Sequence, residues 1–490
     1  MIELTAQEVA EATGGRLHGA DPATAVTGPV VVDSRLVEPG SLFVALPGEH
    51  VDGHDYAAGA VEAGAALVLA ARELDVPCVV VDDPQAALGE LARHVLARVR
   101  ADGDLRVVAV TGSVGKTTTK DLVGRLLSPE GETVVPKGSF NNEVGLPLTV
   151  LRVTRGTRFL VLEMGADREG NIAYLTGIAP PEVGIVLAVG SAHLGVFGDV
   201  DAIARTKGEM VSGVLPGGAA VLNVDDMRVT AMAARAAQDV EVVGFGTITS
   251  AAVRAEDITM DRAGRASFTL CAGRGIVGRA GLDEERAPVS LRLVGEHHVT
   301  NALAAATAAL CLGVPLADVA ARLNAAGADS PHRMAVTERP DGVTLVDDSY
   351  NANPDSMRAA LKTLAVMAGR DRRSVAVLGE MLELGDESRT AHDAIGRLAV
   401  RLNIKLLVVV GDGAYHIHEG ATQEGSWGEE TVFVPDVESA RHYLDEALRP
   451  GDVVLVKASN GSGLWRLGDE LAAAGSAAAG TVAPAVEVAR

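Results

Sequence analysis

The chain has few aromatic residues: Phe, Trp and Tyr make up 3% of its 490 residues. Its core must therefore be filled by Ala, Val, Leu and Gly, which suits α/β layers better than a β-sandwich. Cysteine is scarce as well. Cys78, Cys271 and Cys311 have no paired spacing, so neither a disulfide framework nor a zinc site is indicated. Positive charge falls short of negative, 43 Lys and Arg against 65 Asp and Glu, for a formal net charge of −22. That argues against a nucleic-acid partner, which needs a basic surface. An anionic substrate would have to be held by a few local cations and backbone N–H groups. No apolar run reaches bilayer-spanning length, and the opening MIELTAQEVAEATGG is acidic and amphipathic rather than a signal peptide. The expectation is a soluble, cytoplasmic protein with no membrane insertion, and a monomer by default.

What is present is a strand–helix rhythm. The length predicts about two to four domains. Residues 1–100 read as a compact α/β unit, with strands near 30–32, 42–46 and 79–81 and a helix near 85–100. The stretch ADGDL after it is a plausible hinge. Residues 101–328 carry near-continuous Val/Leu strands (RVVAV, FLVLEMG, VGIVLAVG, AAVLNVD, VEVVGFG), which imply a mostly parallel sheet covered on both faces. After residue 250, VRAEDITMD, RASFTLC and VSLRLVG alternate and predict antiparallel strands at one edge. Residues 329–472 restart the rhythm and predict a second, Rossmann-like doubly wound sheet. The Ala/Gly-rich 473–490 segment reads as a disordered tail.

The stretch VAVTGSVGKTTTKDLVGRLL, residues 108–127, joins an apolar strand to a helix through a glycine loop. In such a loop the backbone N–H groups of Gly112, Ser113, Val114, Gly115 and Lys116 can face phosphate oxygens, and the helix aims its positive end at them. Lys116 supplies a mobile charge. Thr117 offers a hydroxyl for Mg²⁺, and Thr118 follows it. The full phosphate-loop pattern wants Gly five residues before Gly115, where this chain has Val110. The shorter Thr-Gly-x-x-Gly-Lys-Thr form points away from switches and motors, and no guanine-reading Asn-Lys-x-Asp motif is present. Glu163 ends the strand FLVLE. A carboxylate there can meet a magnesium ion held by Thr117, or else cap a nearby helix. His193 follows the next strand, at the same sheet edge.

TGSVGKTTTK resembles the ATP loop of the Mur ligases and of their relative folylpolyglutamate synthase, ATP-dependent amide-forming enzymes with three domains. GSFNNEVGLPLTVL, LEMGADREGNI, GSAHLGVFG, IARTKGEM and above all DDSYNANPDSMRAAL match further segments of that family. The last is similar to the branch that joins D-alanyl-D-alanine to UDP-N-acetylmuramoyl-tripeptide, and GEMLELGDES and VLVKASNGSGLWRL agree with it. The resemblance implies peptide-bond formation through an acyl phosphate, with ATP and two Mg²⁺ ions as cofactors. It makes His193 a ligand of the second metal. It makes Lys207 a lysine carbamylated by CO₂, with an exposed helix lysine as the alternative. Asn301 would help hold adenine, or simply cap its helix. Arg333 and Asp347 would reach γ-phosphate and ribose from the third domain. The first domain would hold the UDP sugar through Ser34 and Arg35, where a simple turn is the alternative. Asn142, Asn351, Asn353, Lys457 and Ser462 would contact substrate, Lys457 and Ser462 near the dipeptide carboxylate. The runner-up is another amide-forming ligase of the same family, of another Mur step or folylpolyglutamate synthase. The latter generally begins near its phosphate loop, and this chain does not.

Overall fold

The computed structural model describes residues 1–48, 51–136, 138–190, 194–273, 276, 283–328, 330–425 and 431–477. Among them are three α/β units. The first has a five-stranded sheet ordered Arg16–His18, Cys78–Val80, Leu67–Ala70, Leu42–Val44, Val30–Val31, antiparallel only at its first pair. The central unit has a nine-stranded sheet. Its strands run parallel from Thr133–Val134 through Phe159–Glu163, Arg106–Thr111, Val183–Val186, Ala219–Asn223 and Glu241–Gly246 to Val253–Met260. The expected antiparallel edge follows, Val253–Met260 with Arg265–Ala272 and then Glu285–Val294. The third unit has six strands. Its edge strand Ala335–Glu338 is antiparallel and the rest are parallel.

The central strands are apolar at nearly every position because both faces are covered. Alternate residues feed separate cores. Val107 and Ala109 pack on one side with Leu160, Leu162 and Leu222, while Val108 and Val110 pack on the other with Val161, Ile185 and Val221. The first of these cores is continuous with that of the N-terminal unit. The join is the helix Pro84–Asp102, started by Asp83, whose side chain accepts from the Gln85 and Ala86 amides, with Pro84 in the first turn. Leu88, Leu91, Val95 and Val99 are buried along it. Arg100 then ties to Glu182 at 2.9 Å and to the Pro180 carbonyl at 2.6 Å. The segment expected to be a hinge therefore begins inside a helix packed onto the central unit, which takes in Ala101 and Asp102. The final helix, Trp465–Ala477, runs past the expected start of the tail at 473, and residues 478–490 lie outside the described residues. Among the described residues no helix is long and apolar enough to cross a membrane.

Candidate active site

Parallel strands place their carboxyl ends at one edge, and the polar residues there line a common crevice. The strand Arg106–Thr111 ends in the loop that starts the helix Lys116–Leu127. Gly115 is required: its φ is +83°, and a Cβ there would lie 2.3 Å from Asn301 Oδ1. Asn301 thus sits against the loop from the first turns of the helix His298–Cys311. It does not cap that helix, and its amide lies 3.2 Å from His298 Nδ1. Ser113 departs from expectation. Its N–H donates to the Ala188 carbonyl at 2.9 Å and its hydroxyl accepts from Gly190 N, so it ties the loop to the neighbouring strand end rather than offering its amide to phosphate. The N–H groups of the first helical turn, around Lys116 and Thr117, remain without intrahelical partners.

Glu163 is fully buried at its strand end. One carboxylate oxygen accepts from Thr117 Oγ1 at 2.9 Å, and the other from Ser139 Oγ at 2.8 Å and Asn141 Nδ2 at 2.7 Å. It caps no helix. Lys116 Nζ donates to the Gly112 carbonyl at 2.7 Å. Burial lowers the Lys116 pKa; Glu163 opposes the shift and Arg333 adds to it. Lys207, the last residue of the helix Val200–Lys207, is buried rather than exposed. Its pKa is lowered to about 7, first by burial and then by repulsion from Lys116. His193 lies outside the described residues.

The third unit closes over this edge. Arg333 Nη2 donates to Thr117 Oγ1 at 3.2 Å, and its guanidinium lies 4.2 Å from the Tyr350 ring centroid. A cleft of about 380 Å³ separates the two units, lined by residues 113–118, Asn141, Glu163, His298 and Asn301 on one side and by Arg333, Asp348, Tyr350, Asn351, Asn353 and Lys457 on the other. The His297 and His298 rings lie against each other, centroids 4.1 Å apart and tilted by 43°. Burial and the neighbouring ring hold His298 well below the usual imidazole range, so it stays neutral.

Several expected contacts are placed elsewhere. Asp347 points away from the cleft, accepting from Ser349 Oγ at 2.5 Å and pairing with His332 Nδ1 at 2.6 Å. A Cβ on Gly468 of the last helix would lie 2.5 Å from it. Its neighbour Asp348 faces the cleft. Lys457 is buried and committed to Asp348 at 2.6 Å and the Asn351 carbonyl at 2.8 Å. Asn353 caps the helix Pro354–Ala368 through Ser356 N, although it also lines the cleft. Asn351 lies at the cleft and is exposed. Ser462 Oγ donates to the Ser459 carbonyl within a 3₁₀ turn and is not among the lining residues. Asn142 turns its Oδ1 to the chain just ahead of the helix Gly145–Val150, accepting from Gly145 N at 2.9 Å. Ser34 and Arg35 lie in the turn after Val30–Val31, and Arg35 forks onto Asp33. Among the described residues, none of the first unit lines the cleft. The residues the sequence reading missed are Ser139, Asn141, Asp348, Tyr350 and the His297–His298 pair.

Three family models match in chain order. The Mur ligase family catalytic domain covers residues 29–96, the Mur ligase middle domain 110–309 and the Mur ligase glutamate ligase domain 332–460. The chain is 48% identical to the UDP-N-acetylmuramoyl-tripeptide–D-alanyl-D-alanine ligase of Mycobacterium tuberculosis, over 96% of this chain and 98% of that one. It belongs to the Mur ligase family. Among solved structures, a MurF of Acinetobacter baumannii matches with a TM-score of 0.84 at 32% identity, covering 96% of this chain and 99% of that one. The MurF ligase of Thermotoga maritima, solved in complex with ADP, matches with a TM-score of 0.75 at 30% identity, covering 92% and 99%. The cleft of this Mur ligase lies where the middle-domain and glutamate-ligase-domain matches meet.

Proposed function

We propose that this chain joins D-alanyl-D-alanine to UDP-N-acetylmuramoyl-tripeptide, converting ATP to ADP and phosphate. The observation that carries the reading is the two-sided cleft, where a phosphate loop with Thr117 and Glu163 faces Arg333 of the next domain, in a chain 48% identical to a ligase named for that reaction over nearly its whole length. A carboxylate is a poor electrophile at neutral pH. Transfer of the γ-phosphoryl to the tripeptide carboxylate gives an acyl phosphate. Attack by the dipeptide amine then passes through a tetrahedral intermediate, which expels phosphate and leaves an amide. The protein's task is positioning and charge neutralisation.

Thr117 and Glu163 form an all-oxygen, buried donor set, which suits Mg²⁺. They would hold one ion, and His193 and a carbamylated Lys207 a second. Magnesium supplies neutralisation of phosphate charge. The amides of the first helical turn and Lys116 cradle the phosphates. Arg333, held flat by Tyr350, offers a fork to the γ-phosphate. Asn301 and His298 bound the nucleotide side of the cleft, and Asp348, which lines the cleft where Asp347 does not, is our candidate for the ribose contact. The first domain, with Ser34 and Arg35, takes the UDP sugar. The dipeptide enters beside Asn351. ATP and a nucleotide-linked sugar are cytoplasmic substrates, and we read the protein as a cytoplasmic monomer.

The test is direct: purified protein, ATP, Mg²⁺, UDP-N-acetylmuramoyl-tripeptide and D-alanyl-D-alanine, with the product mass measured. The expected result is one amide product per ADP, and little ATP turnover without the acceptor. Free ATP hydrolysis with no amide product would overturn the reading.

A further inference from the structure

One turn beyond Lys116, the phosphate-loop helix carries a second lysine. Lys120 is completely buried and is not among the residues lining the cleft. A buried ammonium is costly unless its partners are good. Lys120 Nζ donates to the Pro136 carbonyl at 2.6 Å and the Gly138 carbonyl at 3.2 Å, and pairs with Asp121 at 2.8 Å. The residue after Gly138 is Ser139. With Asn141 it donates to the Glu163 oxygen opposite the one that meets Thr117. Asp121 works in the other direction. It accepts from Ser330 Oγ at 2.6 Å, and Ser330 lies in the interdomain linker three residues before Arg333. That linker is fastened to the third domain by Tyr350 N, which donates to the His332 carbonyl at 3.1 Å, and by Met334 N, which donates to Asp348 at 3.1 Å.

We infer that Lys120 and Asp121 are a positioning pair with two arms, one fixing the loop that orients Glu163 and the other fixing the linker that presents Arg333. The pair touches no reactant. It sets two halves of the site, on two domains, from adjacent residues of one helix. The loop carbonyls have turned to a cation, so an apolar residue of the same length fills the space without holding them. Removing the Ser330 hydroxyl releases only the linker. The inference rests on the ATP-dependent reaction proposed above, and its readouts are chosen to separate the two.

The test uses the full chain, with a fluorescent ATP analogue titrated against Mg²⁺ and with steady-state ligation. Misplacing a reacting group by about 1 Å costs on the order of 100-fold. Lys120→Met should therefore lower kcat by about that factor and raise the Mg²⁺ concentration for half-maximal nucleotide binding, with KM for the UDP-tripeptide held within about threefold. Lys120→Arg should recover part of both losses. Ser330→Ala, at a half-buried linker position, should lower kcat by about tenfold with the Mg²⁺ dependence unchanged. It also keeps the inference falsifiable if Lys120→Met does not fold. A folded Lys120→Met with wild-type kcat and Mg²⁺ dependence overturns the loop arm, and a Ser330→Ala with wild-type kcat overturns the linker arm. Shifted Mg²⁺ dependence in Lys120→Met, with no amide product from the wild type, supports the pair and overturns the proposed reaction instead.

Discussion

Replacing Lys207 tests the electrostatics of the site most directly. Burial and the nearby Lys116 lower its pKa from 10.5 to about 7. At about pH 7.5 a lysine in water is neutral in roughly one molecule in a thousand, whereas one with a pKa near 7 is neutral in about three-quarters of molecules. The neutral amine is the form that reacts with CO₂, giving a carbamate and releasing one proton. The structure therefore raises the reactive population by nearly a thousandfold. The sign for stability follows from linkage. The folded pKa lies below the unfolded one, so the unfolded chain binds more protons between about pH 7 and 10.5, and stability of the uncarbamylated protein rises with pH across that window. Below pH 7 the full penalty applies, about 5 kcal/mol at most from 1.36 kcal/mol per pKa unit. Carbamylation removes the ammonium, so bicarbonate should raise the melting temperature near neutrality and flatten its pH dependence. Lys207→Ala should be nearly inactive, acetate should restore part of the activity, and Lys207→Arg should not be rescued. Labelling with ¹³C-bicarbonate should give a carbamate resonance in the wild type that Lys207→Ala lacks. Full activity in CO₂-free buffer, or in Lys207→Ala without acetate, refutes the reasoning.

Lys116→Ala should keep its fold and lose ligation, since removing one charge-assisted contact to a developing phosphate charge costs about 3–4 kcal/mol; near-normal product formation by a folded variant would sink the phosphate-loop assignment. Gly115→Ala places a Cβ 2.3 Å from Asn301 Oδ1 at a φ of +83°, adding a steric clash to about 1–2 kcal/mol of left-handed strain; nucleotide affinity measured by calorimetry should fall at least about tenfold. Asp348→Asn leaves buried Lys457 without its ion-pair partner and should raise KM for ATP, whereas Asp347→Asn should lower the melting temperature with KM nearly unchanged; the reverse pattern would return the ribose contact to Asp347.

Most of the architecture was legible because the central strands must be apolar on both faces, and runs such as Phe159–Glu163 and Val183–Val186 announce that in sequence. The alternating strands after residue 250 were equally readable, since one face of an edge sheet stays polar. Ala335–Glu338 was missed because it is a short edge strand with no fully buried position, so no pattern marks it. The packing of Pro84–Asp102 onto the central unit was hidden for another reason. An amphipathic helix shows that it has a buried face, but not which domain covers it.

In the site, residues whose chemistry depends on backbone conformation were readable and residues whose chemistry depends on parity were not. Gly115, Lys116 and Thr117 are set by a loop that few sequences can make. Adjacent like residues at a strand or loop end are different: consecutive side chains leave the backbone on opposite sides, so only one of Asp347 and Asp348, or of Asn141 and Asn142, faces the cleft. Composition cannot choose between them. The choice is made by what packs behind: Gly468 leaves room for Asp347 beside His332, and the Val144 and Gly145 amides, where the chain enters the next helix, take the Asn142 oxygen. Polar residues at such ends compete for two jobs, capping a helix or meeting a ligand. Asn353 lines the cleft yet already caps the helix behind it, so its amide contact to substrate would have to come from the Nδ2 left over by the cap. The same logic explains Lys457. It lines the cleft and is ion-paired to Asp348 at 2.6 Å, so it holds that carboxylate in place, and any contact it makes to the dipeptide carboxylate would have to be shared with Asp348.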